Sequence, residues 1–104
     1  MFEGASSVSI LGLDFAVVRS PGVSRDALAD GMIDHDSQTI TLYDGLSGPK
    51  ADQVLLHEVV HGVLDQLGYS EHSEDERLVQ GLAVGLHQAV LSLLAGHDIR
   101  AVRL

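Results

Sequence analysis

The sequence predicts an α+β fold in a single domain spanning residues 1–104, with short strands in its first half and two helices in its second. Three observations carry this. Thr39, Thr41 and Tyr43 alternate with Ile40 and Leu42, the period of a strand with one buried face. From Pro49 to Leu67 the apolar residues recur at helical spacing. A second helical pattern runs from about Glu74 to Leu94, its apolar face made by Leu78, Val79, Leu82, Leu86, Val90, Leu93 and Leu94.

Taken in order, residues 8–19 read as two short strands around Gly12, because Val8 and Ile10 alternate with Ser9 and because Phe15, Val17 and Val18 favour strands. Ser20-Pro21-Gly22 breaks the pattern. Ser24 is placed to cap a short helical turn over Arg25–Asp30, which Gly31 would end. Met32–Asp34 and Gln38–Tyr43 read as a hairpin across Asp34-His35-Asp36-Ser37, whose polar side chains suit a turn; His35 is read there as a solvated residue. If Thr39–Tyr43 is an edge strand, it offers an extended peptide a pairing surface.

The loop Asp44–Pro49 leads into the first helix, with Pro49 at its first position and Gly68 as its left-handed stop. Leu56, Val59, Val60, Val63, Leu64 and Leu67 form one apolar stripe, while Val54, His57, Glu58, His61 and Asp65 share the other side. A polar connection, Tyr69–Asp75, precedes the second helix. In that helix Gly81, Gly85 and Ala89 are spaced four apart, a pattern expected to pack tightly on the first helix, since each glycine costs about 1 kcal/mol against alanine. Gly96 is expected to end it, and residues 97–104 form a tail with no assignable element.

The chemistry sits in the first helix. His57-Glu58-Val59-Val60-His61 reads H-E-x-x-H, and residues four apart on a helix share a face, so both imidazoles can reach one Zn²⁺. Glu58, rotated by roughly 100°, stands beside such an ion as a general base for the attacking water. A catalytic zinc takes a third protein ligand. Leu67 stands where the extended metzincin pattern would have a histidine, which leaves Glu71, His72, Glu74, Asp75 and Glu76. Glu76 is preferred, because it heads a stripe through Val79 and Ala83 and completes a His₂Glu set; His72 is next. Against Glu76 stands a capping box, Ser73-Glu74-Asp75-Glu76, which would tie that carboxylate to backbone instead. His87 lies about 16 Å further along the helix and cannot share the ion. Asp65, one turn past His61, is placed either to hold an imidazole N–H or to stay solvated. Tyr43 and Tyr69 are candidates to hydrogen-bond an oxyanion.

Composition narrows the partners. A net charge of −9 with six Lys and Arg repels a phosphate backbone, so nucleic acid is not expected. The absence of cysteine removes disulfides, thiolate catalysis and Cys-type zinc sites. No apolar run reads as a membrane span and no basic-then-apolar leader opens the chain, so a cytoplasmic protein away from the membrane is expected.

Leu56-His57-Glu58-Val59-Val60-His61-Gly62 followed by Glu76-Arg77-Leu78-Val79-Gln80-Gly81-Leu82-Ala83 resembles the short ImmA/IrrE-type zinc metallopeptidases, particularly small phage and prophage versions. The likeness covers residues 8–95 and includes the strand–Gly–strand opening and the Thr39–Tyr43 strand. It implies His57, His61 and Glu76 as zinc ligands, Glu58 as general base, and a zincin-like antiparallel sheet beside the metal helix. It also implies hydrolysis of peptide bonds in a protein substrate. The chain departs from the family in its short gap between His61 and Glu76 and in carrying no added DNA-binding or sensor region. A partial likeness to the YbeY-type endoribonucleases, around His61-Gly62-Val63-Leu64-Asp65, breaks at Asp65, where a histidine is needed. The alternative is a zinc-stabilised interaction module, such as a phage accessory protein, that cleaves nothing; a metal-free helical adaptor is the third.

Overall fold

The computed structural model of the chain describes residues 1–21 and 30–103. Strands β1 (Ser7–Ile10) and β2 (Leu13–Ser20) form an antiparallel hairpin closed by Leu11 and Gly12. Both turn residues have positive φ, 50° and 87°, the two-residue turn whose twist matches that of its strands. The helical turn predicted after Ser24 lies outside the described residues. Strands β3 (Gly31–Asp34) and β4 (Thr39–Tyr43) make the second predicted hairpin. In its turn Asp34 Oδ1 accepts hydrogen bonds from the backbone N–H of Asp36 at 3.0 Å and of Ser37 at 3.4 Å, the polar turn chemistry expected there.

The four strands are ordered β1-β2-β4-β3. β2 pairs with β4 in parallel, from Ala16 opposite Thr39 to Ser20 opposite Tyr43, so the sheet is mixed and not the antiparallel one expected. β4 is therefore interior, because its two ladders are filled by β2 and β3. Among the described residues the edge strand beside α1 is β3, and Thr39–Tyr43 cannot be the pairing edge. Alternation survives this correction: Ile40 and Leu42 are buried while their neighbours in β4 are half-buried.

Helix α1 (Gly48–Gln66) starts one residue before Pro49 and lies across the sheet. It ends as predicted. Gly68 has φ 84°, its N–H bonds the Asp65 carbonyl, and the Tyr69 N–H bonds the Leu64 carbonyl at 2.8 Å, a Schellman cap. The core joins Ile10, Phe15, Ile40 and Leu42 of the sheet to Val54 and Leu55 of α1. Val54 thus faces the sheet rather than the polar side assigned from the sequence, and Leu67 is exposed. Gly62 allows the approach, since a Cβ there would stand 2.9 Å from Ile10 Cδ1 and 3.1 Å from Ile33 Cδ1.

A short helix α2 (Ser70–Ser73) reverses the chain into α3 (Glu76–Arg103). α3 runs through Gly96, where it was expected to stop, and takes in most of the tail. Val79, Ala83 and His87 are the buried residues of its inner face. Gly81 and Gly85 do not touch α1: nothing lies within 4 Å of where their Cβ atoms would be. The expected glycine-mediated packing is replaced by packing through Val79 and Ala83. By length and composition Glu76–Gly96 is apolar enough to cross a membrane, at mean hydropathy 1.6, contrary to the sequence reading. Its first three turns are held on the domain, however. Residues 88–96 beyond them span about 14 Å at 1.5 Å per residue, half a hydrocarbon core.

Candidate metal centre

Two consecutive histidines of one helix face and the first residue of another helix build the site. His57 and His61 project from α1 one turn apart, with ring centroids 4.9 Å from each other. The reversal at Gly68 and α2 brings the start of α3 back over them. Glu76 then places Oε2 2.9 Å from His57 Nε2 and Oε1 3.0 Å from His61 Nε2.

The capping question resolves in favour of this placement. Asp75, not Ser73, caps α3: its Oδ1 accepts from the Leu78 N–H at 3.1 Å. Ser73 instead places its hydroxyl 3.0 Å from His61 Nδ1 and is buried. Glu76 is left free to face the histidines.

The outer nitrogens fix the inner ones. His57 Nδ1 lies 2.7 Å from Gln80 Oε1, an oxygen that can only accept, so His57 donates from Nδ1. Its Nε2 then turns a lone pair toward Glu76 unless a proton is added. His61, with Nδ1 on the Ser73 hydroxyl, can adopt the same tautomer. In that tautomer two imidazole lone pairs and a carboxylate converge on one point, an arrangement that suits a cation between them. Among the described residues His57, His61 and Glu76 form the one group of His, Asp or Glu atoms lying within 4.8 Å of one another. Tetrahedral Zn²⁺ with bonds near 2.0–2.1 Å separates its ligands by roughly 3.3 Å, a spacing that falls within the 4.8 Å over which one ligand atom of each residue gathers. Two nitrogens and one carboxylate are also a donor set that zinc accepts. The residues present fit the ion.

Glu58 points to the same place from the buried side of α1, at 6 % exposure. Burial raises its pKa most, the nearby His57 opposes this and Glu76 adds to it, leaving it at about 7. The ligand group opens into a groove of about 760 Å³ between α1, α3 and β3, into which Glu58, Met32 and Ile33 also face.

The other candidates fall outside the group. His72 is exposed and meets the Tyr69 ring edge-on. Glu71 and Glu74 are exposed, and Asp75 is the cap. Neither Tyr43 nor Tyr69 is among the described residues lining the groove, so neither is placed to hydrogen-bond an oxyanion. His87 is buried at the other end of α1, with Nε2 3.6 Å from Asp52 Oδ2, as its distance along the helix required.

The sequence reading covers one groove residue only in part. His35 is exposed, as a solvated turn residue would be, but it also has partners: its Nε2 lies 2.8 Å from Asp65 Oδ2, its ring meets Phe15 edge-on, and both His35 and Asp65 line the groove. Asp65 does hold an imidazole, but that of His35 and not of a metal ligand. Nothing in the sequence ties a turn residue to a helix residue thirty positions away. Gln80 was missed too, though the spacing Glu76–Gln80 would have put it one turn beyond a ligand. Comparison with protein-family models, with curated proteins and with solved structures returns no match, so the site is read from its own geometry.

Proposed function

We propose that the chain is a zinc-dependent metallopeptidase of the ImmA/IrrE type, hydrolysing peptide bonds in a protein substrate. The observation that carries this reading is the convergence of His57 Nε2, His61 Nε2 and a Glu76 carboxylate beside buried Glu58 at the wall of an open groove. His57, His61 and Glu76 would hold the ion. When bound, zinc supplies a Lewis acid that polarises a carbonyl and makes water acidic. Gln80 and Ser73 fix the two imidazoles from behind, so both rings present their inner nitrogens without rearrangement. Glu58 takes the proton of the attacking water and returns it to the leaving amine, a task suited to a carboxyl that burial has brought near neutrality.

The substrate surface follows from the corrected sheet order. β3 borders the same groove as the histidines and, among the described residues, pairs on one side only, so an extended peptide added to its other side would lie along that groove.

The test combines metal content with turnover. Purified protein is expected to carry one zinc per chain, lost in Glu76→Ala and kept in His72→Ala. Glu58→Gln is expected to keep zinc and lose peptidase activity on an unfolded protein such as casein by about 100-fold or more. Full activity in Glu58→Gln removes the general base from the mechanism. A wild-type protein that binds zinc and cleaves nothing is instead the zinc-stabilised interaction module. No zinc after reconstitution sinks both.

A further inference from the structure

Helix α3 is the longest element and the least covered. From Leu78 to Gly96 it contains no Asp, Glu, Lys or Arg, yet over that stretch only Val79, Ala83 and His87 are buried. Roughly a quarter-turn away from that buried stripe at 100° per residue, Leu82, Leu86, Ala89 and Leu93 follow at steps of four, three and four. This is heptad spacing, the pattern of a seam that packs on another helix. Among the described residues nothing covers it: Leu82 is 41 % exposed, Leu86 49 % and Leu93 73 %. Beside the seam, Gly81 and Gly85 leave the helix backbone open to close approach.

We propose that this seam is a homodimer interface, α3 of one copy lying antiparallel on α3 of a second. The seam is self-complementary. Setting Leu86 against Ala89 of the second copy also sets Leu82 against Leu93, and the two-fold axis repeats both contacts. A large side chain meets a small one nearest the axis, and leucine meets leucine further out. The exposed apolar surface of the seam with its neighbour Val90 is on the order of 400 Å² per copy. Pairing would remove roughly 800–1,000 Å² in total, below the roughly 1,200 Å² of a stable specific interface and in the range of transient ones, which fits a weak, reversible dimer rather than a permanent one. The end of α3 that projects past its own domain would then lie along the packed half of its partner's helix.

A net charge of −9 opposes an anionic lipid surface, and the three arginines of the helix, Arg77, Arg100 and Arg103, lie outside the uncharged stretch Leu78–Gly96. Between two copies the uncharged seam sets no like charges against each other. The antiparallel arrangement also puts the acidic ends that carry Glu74, Asp75 and Glu76 at opposite ends of the interface.

The inference is independent of any peptidase activity, and sedimentation velocity of the full chain tests it. Wild type is expected to shift from monomer to dimer between about 1 and 200 µM, with a dissociation constant on the order of micromolar. Leu86→Glu and Leu93→Glu are each expected to weaken association at least tenfold with circular dichroism and zinc content unchanged, while Leu67→Glu, exposed elsewhere, leaves it intact. The absence of cysteine gives a second readout of the arrangement. Leu82→Cys mixed with Leu93→Cys is expected to cross-link on oxidation, and neither variant with itself. A monomer at every concentration, or dimers unaffected by both glutamates, overturns the proposal. Cross-linking of Leu82→Cys with itself but not with Leu93→Cys overturns the antiparallel arrangement.

Discussion

Gln80 holds the proton of His57 in place without touching the centre of the ligand group. Its effect is therefore expected on affinity and not on folding. Gln80→Ala should weaken zinc binding roughly 10–100-fold, read by competition with a chromophoric chelator, while the melting temperature of metal-free protein stays within a degree or two. A parallel fall in the metal-free melting temperature would make Gln80 a packing residue. At this scale the sequence was most legible where the residues are local. His57, Glu58 and His61 are fixed relative to one another by the helix alone, and their shared face needs no tertiary information. Glu76 was legible as one of two competing readings, ligand or cap, and only the side chain of Asp75 decides between them. His35 was not legible, because its partner Asp65 is brought to it by the packing of α1 on the β3–β4 hairpin.

At the scale of elements, the hairpins and the end of α1 could be read from turn chemistry, whereas the way strands combine could not. Gly12 and Gly68 both sit at positive φ where the sequence placed a turn and a stop. The parallel pairing of β2 with β4 depends instead on burying Phe15 and Val17 on the same face as Ile40 and Leu42, a condition between distant segments. The end of α3 was misjudged for a different reason: one glycine costs a helix only about 1 kcal/mol, too little to stop Gly96 from being incorporated. The start of α3 matters more to the site. Asp75→Ala removes a side-chain cap and is expected to cost about 1 kcal/mol. Because Glu76 is the next residue, the same change should loosen zinc, whereas Asp75→Asn, which retains the capping oxygen, should restore both stability and affinity. Calorimetry with and without zinc measures the two effects, and equal losses in Ala and Asn would exclude a capping role.

Across the whole molecule, the chain start, α1 and α3 are tied together at Asp52, far from the histidines. This buried carboxylate accepts from the Phe2 N–H at 3.0 Å, lies 3.1 Å from the Met1 ammonium, and faces the His87 ring. Burial pushes its pKa up, but the Phe2 N–H, the Met1 ammonium and His87 together pull it below its ordinary 3.8. A carboxyl depressed on folding contributes stability above its unfolded value and loses it as pH falls through the folded value. The Met1 ammonium runs the other way: Glu3 first, then Asp52, raise it above 8.0 against burial, so its share is complete below that pH and fades as pH rises through the raised value. Glu58, raised by burial from 4.5 to about 7, adds a third contribution that is complete below its unfolded value and is lost as pH rises through the folded one, so metal-free protein is expected to melt highest between about pH 4 and 5 and to lose stability on both sides. Asp52→Asn should lower that maximum by about 1 kcal/mol, since it removes the charge from a buried acceptor of the Phe2 N–H while the Met1 ammonium keeps Glu3 at 2.8 Å, and should flatten the acid limb. Thermal melts of both proteins from acid to alkaline pH give the answer. An unchanged acid limb in Asp52→Asn would move the origin of acid sensitivity to the exposed carboxylates, and Asp52 would then be a packing residue with no titrating role.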